Sequence, residues 1–312
     1  MSIRLTRPRA VRPGDRLAIV APASPFDRGE FDAGIEEVRR LGFEPVFDER
    51  VFARRGFVAG APGLRARALR EALTDPSIAG VLCVRGGYGS VQVLPWLDPR
   101  EIAAARKPIV GYSDITSLLV FITGHGGLVA FHGPTVAGRL GRGERGYDRA
   151  TFLAALCKAT PMGEVGSRSL RTVKPGEAAG PLFGGTLTQL LASLATPFAF
   201  DPPDEHLLFL DEVNERPYRL DRMLVQLRLS GLLARASAVI FGELPGCDEP
   251  GGTPTAWSVI EDALADFAGP IVTGLPSGHT TGAALTLPLG VQTRVVADDH
   301  PRVVIEEAAV EP

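Results

Sequence analysis

Short apolar runs alternate with helix-like segments along the first half of the chain. Residues 17–21 form the first apolar run, and a turn at 22–25 ends it. Apolar residues between Phe31 and Leu41 then recur three or four positions apart, which predicts an amphipathic helix with Gly42 as its C-cap. Further strands are predicted at 80–84 and 107–110, and further helices at 64–73 and 115–122. This alternation predicts a parallel sheet with helices on its faces.

The second half of the chain has a more mixed pattern. Residues 163–180 lose the periodicity, so we predict a linker at 166–180 between an N-terminal domain at 1–165 and a C-terminal domain at 181–312. The short β-rich runs of the tail, residues 285–305, predict antiparallel strands. The other predicted elements are helices at 187–194, 220–229 and 256–267 and strands at 207–210, 239–241 and 271–273. Together they predict a mixed α/β C-terminal domain.

Length, charge and cysteine content narrow the class of protein. At 312 residues the chain exceeds the usual size of one domain. Its net charge is -3, and the sequence contains no long run of basic or acidic residues, which argues against nucleic acid as the main partner. The scattered Cys83, Cys157 and Cys247 predict neither a disulfide framework nor a metal site. Because no signal-peptide core and no membrane-length apolar stretch is evident, we expect a cytoplasmic protein without membrane contact.

Ligands of parallel sheets collect where strands end, so the loops after the predicted strands are the first place to look for chemistry. Arg85, Gly86 and Gly87 directly follow the strand at 80–84. Adjacent glycines let backbone N–H groups converge on an anion, because no Cβ blocks the approach. The alternative is a tight strand-to-helix turn without a ligand.

Ser113 follows the strand at 107–110, in the segment Gly111-Tyr112-Ser113-Asp114. A serine at a sharp strand-to-helix turn presents its hydroxyl above the sheet, where the helix N-terminus stabilises negative charge. This resembles a nucleophile elbow, although the second glycine of the G-x-S-x-G pattern is absent. The alternative is that Ser113 or Asp114 is only the N-cap of the following helix.

A serine nucleophile needs a histidine base, and the base needs an acidic partner. Of the five histidines, His279 and His132 both follow apolar runs, and position alone does not separate them. The acidic candidates are Asp211 and Glu212, at the end of the strand at 207–210. Since side chains alternate along a strand, only one of them can face the histidine.

Taken together, these segments resemble the LD-carboxypeptidase family of serine peptidases, which includes muropeptide LD-carboxypeptidases and microcin-C self-immunity peptidases. Six stretches match in order along nearly the whole chain, and six are far more specific than one. They are residues 19–24, 84–89, 111–114, 184–187 with 196–198, 208–224, and 273–279 with 287–290.

The resemblance implies a set of site residues. The nucleophile of the family matches Ser113 and its histidine matches His279, which separates His279 from His132. Where the family commonly has Leu-Glu-Asp, this chain has Leu210-Asp211-Glu212, and an ungapped match places Asp211 at the catalytic acid. Asp is one methylene shorter than Glu, so Glu212 stays the alternative. We expect the oxyanion to be held by N–H groups of Asp114 and the Gly86-Gly87 turn, and Arg85 to hold the carboxylate of the substrate or to form a structural ion pair.

The family also implies the fold and the reaction. The fold would be a flavodoxin-like parallel-sheet sandwich followed by a smaller mixed α/β domain with barrel-like strands. We expect a homodimer without metal or organic cofactor that removes a terminal D-amino acid from an L-centre, with a murein tetrapeptide as substrate during cell-wall recycling. Two rival hypotheses are a peptidase that inactivates a peptidyl-nucleotide antibiotic and a non-catalytic phosphate- or nucleotide-binding module around Arg85. Against the binding module, the full dinucleotide fingerprint is absent.

Overall fold

A computed structural model of the chain describes residues 5–166 and 169–312. Positions 1–4 of the predicted N-terminal domain and positions 167 and 168 of the predicted linker therefore lie outside the described residues. The strands are β1 Arg16–Val20, β2 Glu44–Val46, β3 Ile78–Cys83, β4 Ile109–Gly111, β5 Ala130–His132, β6 Gly163–Val165, β7 Arg171–Lys174, β8 Gly176–Thr186, β9 His206–Asp211, β10 Ala236–Phe241, β11 Ile271–Thr273, β12 Leu287–Leu289, β13 Gln292–Ala297 and β14 Arg302–Ile305. The α-helices are α1 Arg28–Arg40, α2 Pro62–Thr74, α3 Pro99–Ala105, α4 Thr116–Gly124, α5 Arg149–Cys157, α6 Leu187–Ser193, α7 Pro217–Leu229 and α8 Ala256–Ala263.

The first sheet contains six strands in the order β12-β5-β4-β3-β1-β2. Strands β1 to β5 run parallel, as the alternation of strands and helices predicts. Strands β1, β3, β4 and β5 are short and mostly apolar, and nearly all of their residues are buried, as expected for parallel strands that helices cover on both faces. Strand β2, at the edge, is only half-buried. The carboxyl ends of β3, β4 and β5 lie side by side, which brings the loops after Cys83, Gly111 and His132 together.

Helix α1 shows how local sequence sets the element boundaries. Asp27 caps the first turn by accepting a hydrogen bond from the backbone N–H of Glu30. Phe31 and Val38 are fully buried on one face of the helix. Gly42 follows the helix with a φ of +94°, a left-handed conformation that glycine adopts without steric cost.

The second sheet contains eight strands in the order β6-β14-β13-β8-β9-β10-β11-β7. Its centre, β8 to β11, is parallel, whereas β13, β14, β6 and β7 pair antiparallel at its flanks. The chain is therefore a two-sheet α/β protein, as the sequence predicts. In the first sheet β1 to β5 are parallel and only the edge strand β12 is antiparallel, and the second sheet is mixed.

The region predicted as a linker differs from the structure. Residues 171–174 form β7, and β8 begins at Gly176, so most of 166–180 is strand rather than irregular chain. Strand β7 pairs with β11, and the first residues of β8 pair with β13. These partners lie about 100 or more residues away along the chain, so a local window of sequence does not contain the interactions that make the region extended.

The tail also differs from its prediction in one respect. Strands β13 and β14 pair antiparallel in the second sheet, as predicted. Strand β12 instead joins the edge of the first sheet, where Leu287 pairs with His132. Its central residue, Pro288, is compatible with an edge strand because proline cannot donate a ladder hydrogen bond. The C-terminal part of the chain thereby contributes a strand to the N-terminal sheet.

None of the helices in the described part of the chain is both long and apolar enough to cross a membrane.

Candidate active site

Ser113 lies at the turn between β4 and α4, in a short 3₁₀ helix, Ser113–Ile115, that leads into α4. Its φ is +65°, which is rare for a residue with a side chain and is found at strained turns of functional sites. Neither Ser113 nor Asp114 is the N-cap of these helices, since Tyr112 and Ile115 occupy those positions. The hydroxyl of Ser113 is therefore free of a capping role and is available to another partner.

His279 provides that partner. It lies in the loop after β11, and its Nε2 is 3.1 Å from the Oγ of Ser113. Its side chain retains 16% of its accessible surface, so one edge of the ring is open to a small molecule. The ring of Tyr112 stacks edge-on against it, with 5.2 Å between centroids. The nucleophile and base predicted from sequence therefore lie within hydrogen-bonding distance of each other.

Asp211 ends β9 and is fully buried beneath His279. Its Oδ1 is 2.9 Å from His279 Nδ1 and accepts a hydrogen bond of 3.2 Å from the backbone N–H of His279. Its Oδ2 accepts a hydrogen bond of 3.2 Å from the hydroxyl of Thr186. Burial alone raises the pKa of Asp211, but the interactions with His132 and His279 outweigh burial and hold the pKa well below its ordinary value. Asp211 is therefore an ionised carboxylate aimed at the histidine ring.

Glu212, the alternative acid, points elsewhere. Its Oε2 accepts hydrogen bonds from the backbone N–H and the hydroxyl of Thr188, at 2.9 and 2.6 Å, in the first turn of α6. Burial raises the pKa of Glu212 even though these donors oppose the shift. Because successive side chains at the end of β9 point in opposite directions, Asp211 contacts His279 and Glu212 contacts the N-terminus of α6.

His132, the alternative histidine, lies on the other side of Asp211. Its Nε2 is 3.7 Å from Asp211 Oδ2, and its Nδ1 is 3.2 Å from the hydroxyl of Ser277. Its side chain is fully buried. Both histidines that sequence position left tied therefore contact one carboxylate, but the structure brings only His279 to Ser113.

Residues 85–90, which follow β3 and which we call the glycine-rich loop, lie directly against Ser113. A Cβ placed on Gly86 would be 2.8 Å from the Cβ of Ser113 and 3.1 Å from its Oγ, so only glycine fits there. Gly87 has a φ of +91° and approaches Ser24 just as closely. The backbone of this loop consequently lies beside the place where negative charge would develop on an attacked carbonyl.

Asp114 supports the same loop. Its carboxylate accepts hydrogen bonds from the backbone N–H groups of Gly89, at 3.2 Å, and Ser90, at 2.8 Å. The side chain thus ties the serine turn to the glycine-rich loop instead of capping its own helix. Arg85, at the start of the loop, is exposed and forms no ion pair within residues 5–166 and 169–312.

Sequence reasoning missed two residues of this arrangement. Thr186 donates to Asp211, and Ser277 contacts His132. A signal for Thr186 was present in the sequence, because it directly follows the glycine pair at 184 and 185 at the end of β8. Ser277 had no comparable signal. No group of three or more His, Cys, Asp or Glu side chains suited to a metal occurs among the residues that the structure describes.

Comparisons of sequence place these residues in a known family. Two sequence profiles match, the LD-carboxypeptidase N-terminal domain over residues 17–133 and the LD-carboxypeptidase C-terminal domain over residues 179–295. A putative carboxypeptidase of Streptomyces coelicolor is 35% identical over 302 residues, which cover 94% of each chain. The murein tetrapeptide carboxypeptidase of Pseudomonas aeruginosa is 31% identical over 85% of this chain and 88% of its own. The microcin C7 self-immunity protein of Escherichia coli is 26% identical over 95% and 94%.

Solved structures agree with the sequence relatives. The muramoyltetrapeptide carboxypeptidase of Oxalobacter formigenes matches with a TM-score of 0.80 at 27% identity, covering 93% of this chain and 97% of that one. The microcin C7 self-immunity protein in its apo state matches with a TM-score of 0.87 at 22% identity, covering 98% and 100%. At that identity the second likeness shows the fold alone.

Proposed function

The chain belongs to the LD-carboxypeptidase family, and we propose that it is a serine carboxypeptidase whose catalytic triad is Ser113, His279 and Asp211. The observation behind this proposal is the continuous path of short contacts through the imidazole. His279 Nε2 lies 3.1 Å from the serine hydroxyl, and Nδ1 lies 2.9 Å from the buried carboxylate. A hydroxyl, a base and an acid in this order are the parts that acyl transfer to serine requires.

The first half of the reaction forms an acyl-enzyme. The Oγ of Ser113 attacks the carbonyl carbon of the scissile amide while its proton moves to Nε2 of His279. Asp211 stabilises the imidazolium that results, since it is ionised and contacts Nδ1. When the tetrahedral intermediate collapses, the C–N bond breaks and Nε2 returns the proton to the leaving amine. Water then attacks the ester with His279 again as base, which releases the acid and restores Ser113.

The oxyanion of both intermediates would be held by backbone donors. The N–H group of Asp114 directly follows the nucleophile, and the N–H groups of the Gly86-Gly87 turn would add to it, since Gly86 lies against Ser113. One such donor contributes about 3–4 kcal/mol to the transition state in other acyl-transfer enzymes.

The substrate that fits the relatives best is a short murein peptide. The protein would cleave the amide between an L-centre of a diamino acid and a terminal D-amino acid, converting a murein tetrapeptide into a tripeptide and D-alanine. The relative of Pseudomonas aeruginosa that is named murein tetrapeptide carboxypeptidase, at 31% identity, supports the choice of this substrate. Arg85 is a suitable partner for the terminal carboxylate because it is exposed beside the glycine-rich loop. As a recycling enzyme it would act in the cytoplasm, as a homodimer.

A second candidate function is the hydrolysis of a peptidyl-nucleotide antibiotic by the same triad. The match to the microcin C7 self-immunity protein, 26% identical over 95% of this chain, is the observation that favours it. Only the pocket around the scissile bond would differ, so the two activities are separated by substrate and not by the catalytic residues.

Mass spectrometry of the purified protein incubated with a murein tetrapeptide tests the proposal. We expect D-alanine from the wild type and none from Ser113→Ala. Ser117→Ala is a matched control, since this serine lies one turn further along α4 with its hydroxyl on Gln189. A parallel incubation with a peptidyl-nucleotide decides between the two substrates. Release by Ser113→Ala would rule out this nucleophile, and no release from either substrate by the wild type would overturn the proposed reaction.

A further inference from the structure

Arg139 is a buried cation that the proposed chemistry does not use. It follows β5 of the first sheet and retains only 8% of its accessible surface. Its guanidinium reaches residues 278–282, the loop after β11 that carries His279, and we call this segment the histidine loop. The contact therefore joins a residue from the serine-bearing part of the chain to the loop that bears the base.

The contact consists of several hydrogen bonds to backbone carbonyl groups. Arg139 Nη2 donates to the oxygen of Gly278, at 2.9 Å, and to that of Thr280, at 2.8 Å, on either side of His279. Arg139 Nη1 donates to the oxygen of Gly282, at 2.9 Å, and to that of Gly146, at 3.3 Å. The planar fork of a guanidinium matches several carbonyls at once, which a single ammonium group cannot do.

An acid also holds the histidine loop. Glu243, just after β10, accepts hydrogen bonds of 2.8 Å from both the backbone N–H and the hydroxyl of Thr281. Carbonyl oxygens of the loop thus accept hydrogen bonds from a cation, and a backbone N–H of the loop donates to an anion. Each charge has the sign opposite to that of the peptide atom it contacts. Such charge-assisted hydrogen bonds are shorter and stronger than neutral ones.

The histidine loop also has little room to move towards Asp211. Gly278 has a φ of +69°, and a Cβ on it would be 2.1 Å from Asp211 Oδ2. The ring of Tyr112 contacts both residues, with 5.2 Å to the ring of His279 and 5.8 Å to the guanidinium carbon of Arg139. The imidazole is therefore fixed by Asp211 beneath it and by the loop that Arg139 holds in place.

We propose that Arg139 is a positioning residue that holds the histidine loop so that Nε2 of His279 faces the hydroxyl of Ser113. This inference depends on the proposed function, in which His279 is the base. Arg139 does not touch the reacting atoms and acts through the backbone of residues 278–282. A misplacement of about 1 Å between reacting groups can lower the rate about 10²-fold, so loss of the hydrogen bonds from Arg139 should lower kcat.

The experiment compares Arg139→Ala with Lys107→Ala. Lys107 is an equally buried cation, with 8% of its surface exposed, and its Nζ donates to the carbonyls of Ala72, Leu73 and Asp75. It precedes β4, at the opposite end of the strand from Ser113. Both variants remove a positive charge from several carbonyl groups, but only one of them touches the histidine loop.

Two readouts separate positioning from general destabilisation. Hydrogen–deuterium exchange without substrate should show faster exchange of residues 278–282 in Arg139→Ala and unchanged exchange there in Lys107→Ala. With a murein tetrapeptide, kcat of Arg139→Ala should fall about 10²-fold while KM changes little, and added guanidinium ion at millimolar concentration should restore part of kcat. Arg139→Lys keeps the positive charge but not the planar fork, so its kcat and its exchange rate in the histidine loop should lie between those of the wild type and Arg139→Ala. This variant replaces Arg139→Ala in the test if the alanine variant does not fold.

Several outcomes would overturn the inference. They are unchanged exchange in the histidine loop, full kcat in Arg139→Ala, or an equal loss of kcat in Lys107→Ala. A wild type that releases no D-amino acid would instead remove the proposed function. The exchange readout needs no substrate, so it still decides whether Arg139 holds the loop.

Discussion

The backbone N–H of His279 and the Nδ1 of its ring both meet the carboxylate of Asp211, at 3.2 and 2.9 Å. One buried acid thereby fixes the peptide group and the imidazole of the same residue. With the Nδ1 proton donated to Asp211, the lone pair of Nε2 faces Ser113 at 3.1 Å. Asp211 thereby sets the tautomer of the base and shares with Arg139 the task of fixing its position.

Exchange of this acid for its amide should remove most of the activity. In Asp211→Asn, the neutral side chain no longer stabilises an imidazolium and favours the wrong tautomer, so kcat should fall about 10⁴-fold. Glu212→Gln is the matched control, because Glu212 contacts Thr188 and not His279. Steady-state kinetics on the murein tetrapeptide measures both. A larger loss of kcat in Glu212→Gln than in Asp211→Asn would assign the acid to Glu212 instead.

The two histidines on Asp211 should differ strongly in their effect on kcat. His279→Asn removes the base in contact with Ser113, and kcat should fall by about 10⁴-fold or more. His132→Asn removes a ring whose Nε2 lies 3.7 Å from Asp211 Oδ2, too far for a hydrogen bond, so kcat should fall by about 10-fold at most. Single-turnover kinetics separates the two expectations. If His132→Asn were the more damaging change, the base would have to be His132.

A methyl group on Gly86 should harm catalysis more than folding. The new Cβ in Gly86→Ala would lie 2.8 Å from the Cβ of Ser113, so either the serine turn or the glycine-rich loop must shift. We expect kcat to fall by at least about 10²-fold with KM less affected. Gly124→Ala at the end of α4 is the control, because a Cβ there meets nothing within 4 Å. Retained kcat in Gly86→Ala would show that this loop takes no part in holding the oxyanion.

His206 should make the protein less stable in acid. Burial lowers the pKa of His206 from 6.5 to about 4, and its hydrogen bond to the carbonyl of Pro203 opposes the shift only in part. Between pH 6.5 and pH 4, His206 is protonated in the unfolded chain but mostly neutral in the native protein. The free energy of unfolding therefore falls as the pH decreases over this range. Between pH 7 and pH 5 this contributes a loss of about 2 kcal/mol, and none above the ordinary pKa.

Urea unfolding at several pH values checks this expectation. His206→Gln keeps a polar donor but cannot take up the proton, so its stability should depend less on pH than that of the wild type over the same range. His300→Gln, at an exposed turn, is the control and should leave the pH dependence unchanged. The prediction is wrong if wild type and His206→Gln lose stability in parallel from pH 7 to pH 5.

Much of the architecture follows from local pattern. The helical spacing between Phe31 and Leu41 predicts α1, and the structure places that helix at Arg28–Arg40. The apolar run before Arg85 predicts β3, and the turn at Ser113 follows β4 as expected. These predictions hold because helix periodicity, capping and strand burial depend on neighbours within a few residues. The same patterns place Ser113 and the glycine-rich loop each at the end of a strand, and the structure shows that these strands, β3 and β4, are neighbours.

Other features were decided only when the chain folded. The contact between Ser113 and His279 joins residues 166 positions apart, and that between Asp211 and His279 joins residues 68 apart. Local pattern is enough for the α/β class, the serine turn and a short set of histidines and acids, and within that set the family resemblance pointed to His279 and Asp211. Tertiary contacts bring one histidine to the serine and one acid to that histidine. They also place β12 at the edge of the first sheet. Such contacts arise from packing of distant segments, which no local window of sequence contains.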